Sequence, residues 1–284
     1  MKFKDFPIER NEVNPLYEVI KIPKVIFSTH VLDKIIYKDN LCLKIIMPSL
    51  KNDEELEGYS FPVIVFTQGS GWKKQNIDSN ICSLGKIVEK GFIVVDVEYT
   101  GSEISKFPQS IIDVEDAIRW TYNNIKKYHG DNSKIFLWGN SSGGHVMSYI
   151  GVTFKEINIK GIIDFYGPIE LSSLDIGASN LDHKTNQSIG SLYLGYNPIE
   201  NKEKAKEASV IAQIHDNKIP PFLIIHGNKD RKVPFKQSEL LAETLKKYHC
   251  DYEFYCVEDA DHGGSGIWND IILNKCLNYL NKLI

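Results

Sequence analysis

The sequence predicts an α/β fold in which helices cover both faces of a mostly parallel sheet. From about residue 62 onward, apolar runs of strand length alternate with amphipathic stretches of helix length, the pattern of a sheet buried on both faces. Before that point, β-like stretches follow one another without helices, which predicts antiparallel strands at the start of the sheet. A chain of 284 residues, 42% of them hydrophobic, can bury such a core as a single domain over residues 1–284.

The predicted elements follow in order along the chain. Antiparallel strands are predicted at Tyr17–Ile22, Val25–Phe27, Ile35–Tyr37 and Leu41–Met47, and a polar surface loop at 51–60. Parallel strands are predicted at Pro62–Thr67, Phe92–Val97, Lys134–Trp138, Gly161–Phe165, Pro221–His226 and Tyr252–Val257. Helices are predicted at Asn76–Lys90, Pro108–Tyr128, Ser142–Val152, Pro234–Tyr248 and Ile267–Leu283. The first helix has apolar residues at helical spacing and a glycine, Gly91, after its end.

Composition and charge argue against several classes of partner. A net charge of −4, from 33 basic and 37 acidic residues that are interspersed, gives no basic surface for nucleic acid or an anionic membrane. No apolar run approaches the roughly 18 residues that cross a bilayer, and MKFKDFPIER lacks the apolar core of a secretory signal. Five dispersed cysteines without a CxxC pair predict reduced thiols in a cytoplasmic protein and no metal site. The sequence gives no indication of oligomeric state.

A GxSxG motif follows the strand predicted at 134–138. It reads Gly139-Asn140-Ser141-Ser142-Gly143 and precedes a predicted helix. Strand, turn and helix form the setting in which this motif presents a nucleophile, so Ser141 is the candidate. The turn would also place the N–H of Ser142 at a helix N-terminus, where it can stabilise an oxyanion. A plain Gly/Ser loop is the alternative, and the flanking strand and helix favour the nucleophile.

Three other strand ends carry residues suited to the same chemistry. The first strand of the parallel part is followed by Gln68-Gly69-Ser70-Gly71-Trp72. Small residues there would let the N–H groups of Ser70 and Gly71 complete an oxyanion hole. Asp230 follows the strand at 221–226 and could orient a histidine, and His262 follows the last strand and could serve as general base. Taken singly, each also fits an ordinary role in a turn, at a helix start or in packing.

Other acids and histidines are weaker candidates. Asp164 ends a strand and is the competing acid, but the Phe-Tyr-Gly-Pro that follows it is typical of a fixed turn. Asp261 adjoins His262 and lies too close in sequence to orient it easily. His145 opens a helix and His226 ends a strand, and both are interpreted as packing or hydrogen-bonding residues.

These segments together resemble a known family, the α/β-hydrolase esterases of the hormone-sensitive-lipase and acetylxylan/feruloyl-esterase-like groups. The same groups resemble the catalytic domains of prolyl oligopeptidases. The resemblance extends from about Tyr17 to the end of the chain and is carried by VIVFTQGSGW, FIVVDVEY, KFPQSIIDVEDAIRW, IFLWGNSSGGH, GIIDFYGP, FLIIHGNKDRKVP and DADHGG. Ser141, Asp230 and His262 match the family's triad positions and its Ser–Asp–His order.

The resemblance implies an α/β-hydrolase fold and hydrolysis of acyl esters through an acyl-enzyme, without a cofactor. The family's oxyanion loop usually reads HGGGW, so Gln68 and Ser70 depart from it and leave the second oxyanion donor open. Residues 170–216 lie between two core strands and read as a short cap-like insertion. That segment is mainly polar, which disfavours long-chain lipids. The expected substrate is a small-molecule ester with a short acyl group, acetyl above all, such as an acetylated carbohydrate.

Three aromatic residues are candidate substrate contacts. Trp72 and Trp268 are close in sequence to proposed active-site loops, and Tyr193 belongs to a small apolar island in the polar segment. Packing is the alternative role for both tryptophans. Two other functions stay open at this point: a serine peptidase or amidase of the prolyl-oligopeptidase type, and a non-catalytic binding protein built on a hydrolase fold.

Overall fold

A computed structural model describes residues 5, 7, 19–20, 25–50 and 56–284. Within these residues, one sheet holds eight strands: β1 (Ser28–Lys38), β2 (Leu41–Ser49), β3 (Phe61–Thr67), β4 (Ile93–Val97), β5 (Gly130–Asn140), β6 (Ile159–Phe165), β7 (Phe222–Gly227) and β8 (Tyr252–Val257). The strand order is β1-β2-β4-β3-β5-β6-β7-β8. The β1/β2 and β2/β4 pairs are antiparallel, and β4, β3 and β5 to β8 pair in parallel. The predicted mostly parallel sheet with an antiparallel start is confirmed.

The described residues form seven α-helices, six of them between strands and the last after β8. They are α1 (Ile81–Val88), α2 (Gln109–Asn124), α3 (Ser142–Thr153), α4 (Ile189–Leu194), α5 (Lys202–Ala205), α6 (Lys236–Lys247) and α7 (Asp270–Lys282). Because successive side chains of a strand point to opposite faces, neighbouring strand residues join different cores. On β6, Ile163 packs in the core beneath α1 and α7, whereas Ile162 packs in the core beneath α6. A third core on the α6 side lies beneath α2 and α3, so helices cover both faces.

Of the strands predicted near the N-terminus, one is wrong and another lies mostly outside the described residues. The strand predicted at Val25–Phe27 is wrong, because the sheet begins at Ser28. Phe27 is instead an aromatic packing residue, whose ring meets those of Tyr59 and Phe61 edge to face at 5.5 and 5.3 Å. The strand predicted at Tyr17–Ile22 lies mostly outside the described residues, as does the first half of the loop at 51–60.

The first predicted helix begins five residues late. It starts at Ile81 and not at Asn76, because the Asn76 side chain accepts the N–H of Asp78 at 3.1 Å. Asn76 O also accepts the N–H of Ser79 at 3.1 Å. Such local side-chain bonds to backbone compete with helix formation, and the segment before Ile81 is a turn.

The segment between β6 and β7 contains the short helices α4 and α5. Leu174, Tyr193 and Leu194 of this segment pack into the same core as α2 and α3. It therefore adds to the sheet face that carries those helices. Across the described part of the chain, no helix is both long and apolar enough to span a membrane.

Candidate active site

Ser141 occupies a tight turn between β5 and α3. Its backbone has φ 54° and ψ −129°, a conformation that non-glycine residues rarely adopt. The turn is pressed against its neighbours: a Cβ added at Gly69, Gly139 or Gly143 would lie 2.5, 2.2 or 2.1 Å from a backbone oxygen. Ser141 N–H also donates to Phe165 O at 2.8 Å. These contacts hold the serine at the carboxyl edge of the sheet, at the start of α3.

A chain of hydrogen bonds joins the three residues predicted as the triad. His262 Nε2 lies 2.9 Å from Ser141 Oγ. His262 Nδ1 lies 2.7 Å from Asp230 Oδ2. Since the carboxylate can only accept, Nδ1 carries a proton and Nε2 is free to accept the serine proton. Three separate strand ends therefore bring together a hydroxyl, an imidazole and a carboxylate in the order that nucleophilic catalysis needs.

Asp230 accepts four hydrogen bonds, two on each oxygen. Its Oδ1 accepts the N–H groups of Lys232 and Val233 at 2.8 and 2.9 Å. Its Oδ2 accepts from His262 and from His226, the latter at 3.1 Å. Burial alone would raise the pKa of Asp230, but these hydrogen bonds outweigh it and hold the pKa well below its usual range. The carboxylate stays ionised and fixed in orientation.

His226, which the sequence predicted only as a packing or hydrogen-bonding residue, is a partner of Asp230. Its Nε2 faces two acceptors at 3.1 Å, Asp230 Oδ2 and Val233 O, so Nε2 carries the proton. Its Nδ1 then accepts from Ser238 Oγ at 2.8 Å. The side chain is fully buried. The signal in the sequence was its place near the end of β7, four residues before Asp230.

Two rings support the imidazole of His262. Tyr166 lies with its ring centroid 4.6 Å from that of His262, edge to face. Burial raises the pKa of Tyr166 to about 12, so the phenol stays neutral. Trp268 Nε1 donates to Tyr166 Oη at 3.2 Å and stacks on Trp138, with centroids 5.7 Å apart. Trp268 thus acts as a packing anchor and also lines the cavity that contains Ser141 and His262.

Asp261 links the loops that carry the acid and the base. Its Oδ1 accepts the backbone N–H groups of Arg231 and His262 at 3.0 and 2.8 Å. Its Oδ2 accepts from Arg231 Nε at 2.7 Å. Asp261 does not contact the imidazole in any of these bonds. It fastens the backbone of the His262 loop beside Asp230.

The two N–H groups predicted as oxyanion donors in the loop after β3 differ in their hydrogen bonding. The N–H of Ser70 is occupied, because it donates to Ser142 Oγ at 2.9 Å. The N–H of Gly71 has no acceptor among the described residues, and Gly71 has φ 65°. Gln68 braces the loop through its Oε1, which accepts the N–H of Asn76 at 2.9 Å. Of the two donors predicted in this loop, Gly71 is the one left available.

Trp72 and Tyr193 are buried side by side, with 3% and 1% of their surface exposed. Their rings stack at 4.5 Å. Trp72 Nε1 donates to His145 Nδ1 at 3.1 Å, and His145 Nε2 donates to Ala208 O at 2.7 Å. Burial lowers the pKa of His145 to about 4, so this link is neutral. Trp72 lines the cavity described below whereas Tyr193 does not, and both fix the loop after β3 to α3 and to the 170–216 segment.

Asp164, the competing candidate for the acid, is fully buried next to the turn that carries Ser141. Neither carboxyl oxygen has a hydrogen-bond partner in the described residues. A Cβ on Gly144 or Gly167 would meet Asp164 Oδ1 at 2.3 or 2.4 Å, so the carboxyl is enclosed by glycine backbone. Burial raises the pKa of Asp164 to about 7. His262 bonds to Asp230 and not to Asp164.

A cavity of about 640 Å³ opens above Ser141. Ser141, Ser142, Gly71 and His262 are among the residues that line it. In the described residues, no group of three or more His, Cys, Asp or Glu side chains is placed to hold a metal ion. The arrangement offers a nucleophile, a base and N–H donors at one point of the cavity, which are the parts that acyl transfer requires.

Comparison with known proteins supports this reading of the fold. A family model described as BD-FAE matches residues 51–245, more than half of the chain. The matched range includes Ser141 and Asp230 and ends before His262. Among curated proteins, esterase LipQ of Mycobacterium tuberculosis is 27% identical over 201 residues, which cover 66% of this chain and 47% of LipQ. The chain spans about half the length of the curated relatives that it matches first.

Solved structures match over most of the chain. A truncated carbohydrate esterase from gut microbiota has a TM-score of 0.79 and 23% identity, covering 90% of this chain and 96% of its own. An acetyl ester-xyloside bifunctional hydrolase from Caldicellulosiruptor lactoaceticus has a TM-score of 0.69 and 22% identity, covering 86% and 88%. These likenesses confirm the predicted α/β-hydrolase fold.

Replacing His226 tests whether it positions Asp230. In His226→Leu, Asp230 Oδ2 loses one of its two donors, and we expect kcat for 4-nitrophenyl acetate to fall about 10-fold or more, since a hydrogen bond to a charged group contributes about 1.5–3 kcal/mol. In His226→Gln, the amide nitrogen can replace Nε2, and most of the loss should be recovered. Equal losses in both variants, at equal melting temperatures, would contradict the positioning role.

The raised pKa of Asp164 predicts that the free energy of unfolding depends on pH. Because its pKa is raised to about 7 in the folded state, the folded chain keeps a proton that the unfolded chain releases near pH 4. Stability therefore falls as pH rises from about 4 to about 7. Urea unfolding gives the free energy of unfolding of Asp164→Asn minus that of wild type. We expect this difference to be up to about 4 kcal/mol larger at pH 8 than at pH 4. The same difference between variant and wild type at both pH values would refute a raised pKa for Asp164.

Proposed function

The chain belongs to the BD-FAE family, and from this premise we propose that it is a serine carboxylesterase with Ser141, His262 and Asp230 as its triad. The observation that carries the proposal is the unbroken hydrogen-bond chain from Ser141 Oγ through His262 to Asp230 Oδ2, at 2.9 and 2.7 Å. Curated relatives named as esterases support the reaction class. The substrate is a small-molecule ester, and no cofactor takes part.

The reaction proceeds in two halves. His262 Nε2 takes the proton of Ser141 as Oγ attacks the ester carbonyl. The N–H groups of Ser142 and Gly71 stabilise the negative charge on the carbonyl oxygen, the first helped by its place at the start of α3, where N–H groups lack helical acceptors. Protonated His262 gives its proton to the leaving alcohol, which leaves an acyl-Ser141 ester. Water, activated by His262, then releases the acid and restores the serine.

Asp230 and Ser70 support these steps without touching the substrate. The carboxylate of Asp230 holds His262 in the required tautomer and stabilises its charged form. The Ser70 N–H to Ser142 Oγ bond joins the oxyanion loop to α3, so that both oxyanion donors keep one spacing. Preorganised donors cost no rearrangement as charge develops.

A short acyl group, acetyl above all, is the proposed acid part of the substrate. Ile189 lines the cavity next to Gly71, and we propose that a small acyl group binds beside it. Two structural neighbours are named as a carbohydrate esterase and an acetyl ester-xyloside hydrolase. By analogy, acetyl esters of carbohydrates are the proposed natural class.

Hydrolysis of 4-nitrophenyl acetate, butyrate and octanoate by wild type and Ser141→Ala tests the proposal. We expect wild type to prefer acetate, and kcat to fall on the order of a million-fold in Ser141→Ala, the scale seen when a triad nucleophile is removed. Ser133→Ala serves as the control and should match wild type. Ser133 is exposed and lies near the start of β5, the strand that precedes Ser141.

Two results would contradict the proposal. If Ser141→Ala is as active as wild type, the assignment of the protein as a serine esterase that uses Ser141 is wrong. Faster cleavage of 4-nitroacetanilide than of 4-nitrophenyl acetate would favour the peptidase or amidase.

A further inference from the structure

The cavity that contains Ser141 and His262 has an excess of basic side chains. Lys73 and Lys232 line it, whereas no Asp or Glu stands among its described lining residues. His183 also lines it, but burial lowers the pKa of this imidazole, which stays uncharged near neutral pH. The whole chain has a net charge of −4. The charge of the cavity lining is therefore opposite in sign to that of the protein.

The two lysines of the cavity differ from the basic residues beside them in the sequence. Those neighbours are each paired with a carboxylate: Lys74 with Glu98, Lys229 with Asp259, and Arg231 with Asp261. Neither Lys73 nor Lys232 has a carboxylate partner in the part of the chain that the structure describes. Both are exposed, so their ammonium groups are available to a ligand.

Hydrogen bonds fix the backbone of Lys232 at both its N–H and its carbonyl group. The N–H donates to Asp230 Oδ1 at 2.8 Å. The carbonyl oxygen accepts from Ser179 Oγ at 2.8 Å and from His183 Nε2 at 3.2 Å. The other oxygen of Asp230 accepts from His262. One carboxylate therefore joins the backbone of Lys232 to the imidazole that faces Ser141.

The backbone of Lys73 is fixed in the same way, on the other side of Ser141. Its N–H donates to Ser70 O at 3.4 Å, and its carbonyl oxygen accepts from Ser70 Oγ at 2.6 Å and from the side chain of Gln75. Lys73 follows β3 and Lys232 follows β7, and these strands lie on opposite sides of β5 in the sheet. Since β5 leads directly into Ser141, the two lysines flank the serine.

The leaving alcohol is the part of the substrate that meets this charge. The departing oxygen must face the imidazole that protonates it, and the backbone of Lys232 is joined to that imidazole through Asp230. The proposed acyl group, acetyl, carries no charge, so a charged group of the substrate belongs to the alcohol. A cavity lined by charge of one sign raises the local concentration of ligands of the other sign.

We propose that Lys73 and Lys232 make the enzyme selective for esters whose leaving alcohol carries a negative charge, such as a carboxylate; this inference rests on the esterase activity proposed above. A lysine ammonium group is a compact charge on a flexible chain, so two of them on fixed backbone can reach an anion from both sides of the serine. An alcohol with a positive charge would meet like charge in the same cavity without a counter-ion.

The test compares two acetyl esters that differ in charge, at about 0.1 M salt. 4-Acetoxyphenylacetate carries a carboxylate on its alcohol part, and 4-acetoxyphenylacetamide has a neutral amide of similar size in its place. The readout is the ratio of their kcat/KM values, carboxylate over amide. We expect wild type to favour the carboxylate, and Lys73→Gln and Lys232→Gln each to lower the ratio about 2- to 5-fold, the range of an exposed ion pair.

Matched variants show whether the charge at these two positions is responsible. Lys73→Arg and Lys232→Arg keep the charge and should retain most of the wild-type ratio. Lys74→Gln removes the next lysine along the chain, which pairs with Glu98 and does not line the cavity, and it should leave the ratio unchanged.

Salt provides a second readout of the same attraction. The Debye length falls from about 10 Å at 0.1 M to about 3 Å at 1 M ionic strength, so the wild-type ratio should fall when NaCl is raised over this range. In the double variant Lys73→Gln/Lys232→Gln, the ratio should depend on salt much less. A wild-type ratio that does not change with salt would contradict an electrostatic origin.

The outcomes separate this inference from the function on which it rests. An unchanged ratio in both Lys73→Gln and Lys232→Gln, with wild type active on the neutral ester, would overturn the selection for an anion and leave the esterase intact. A loss in Lys74→Gln as large as theirs, or arginine variants no better than the glutamine variants, would overturn it as well. Wild type inactive on both esters would overturn the esterase and the inference together.

Discussion

The geometry of this site depends on the lack of space around Ser141. Three glycines from two strand ends and from α3 surround the turn, and a single Cβ on any of them would collide with backbone at 2.1–2.5 Å. That close packing keeps a non-glycine residue at positive φ, a strain that persists only where the surroundings enforce it. The result is a hydroxyl fixed at the sheet edge and an α3 whose first N–H groups face the same point.

Asp230 is the second fixed point, and it organises the loops on the other side of the serine. Its four hydrogen bonds bind the turn after β7, the buried His226 and His262 to one carboxylate. Asp261 then ties the backbone of the His262 loop to Arg231. Asp230 and His262 thereby face Ser141 as one unit, and under the proposed mechanism this limits the rearrangement that the reaction needs.

The sequence predicted the features that depend on local pattern. Buried strands are apolar on both faces, so their alternation with helices was visible, and Ser141, Asp230 and His262 each stood in the segment that follows such a strand. Features that depend on distant contacts were not visible. The start of α1 was predicted too early because the Asn76 side chain accepts a hydrogen bond from the N–H of Asp78. The burial of Trp72 against Tyr193 and the use of the Ser70 N–H by Ser142 join segments far apart in the chain, which no periodicity reports.

The central claim is that Ser141 is an activated nucleophile, and covalent labelling tests it most directly. Folded wild type would be treated with a fluorophosphonate, digested and mapped by mass spectrometry, beside His262→Ala. The account predicts one phosphonylated residue, Ser141, and little labelling in His262→Ala, because the serine is a weak nucleophile without its base. No labelling of folded wild type, or labelling at another residue, would contradict it.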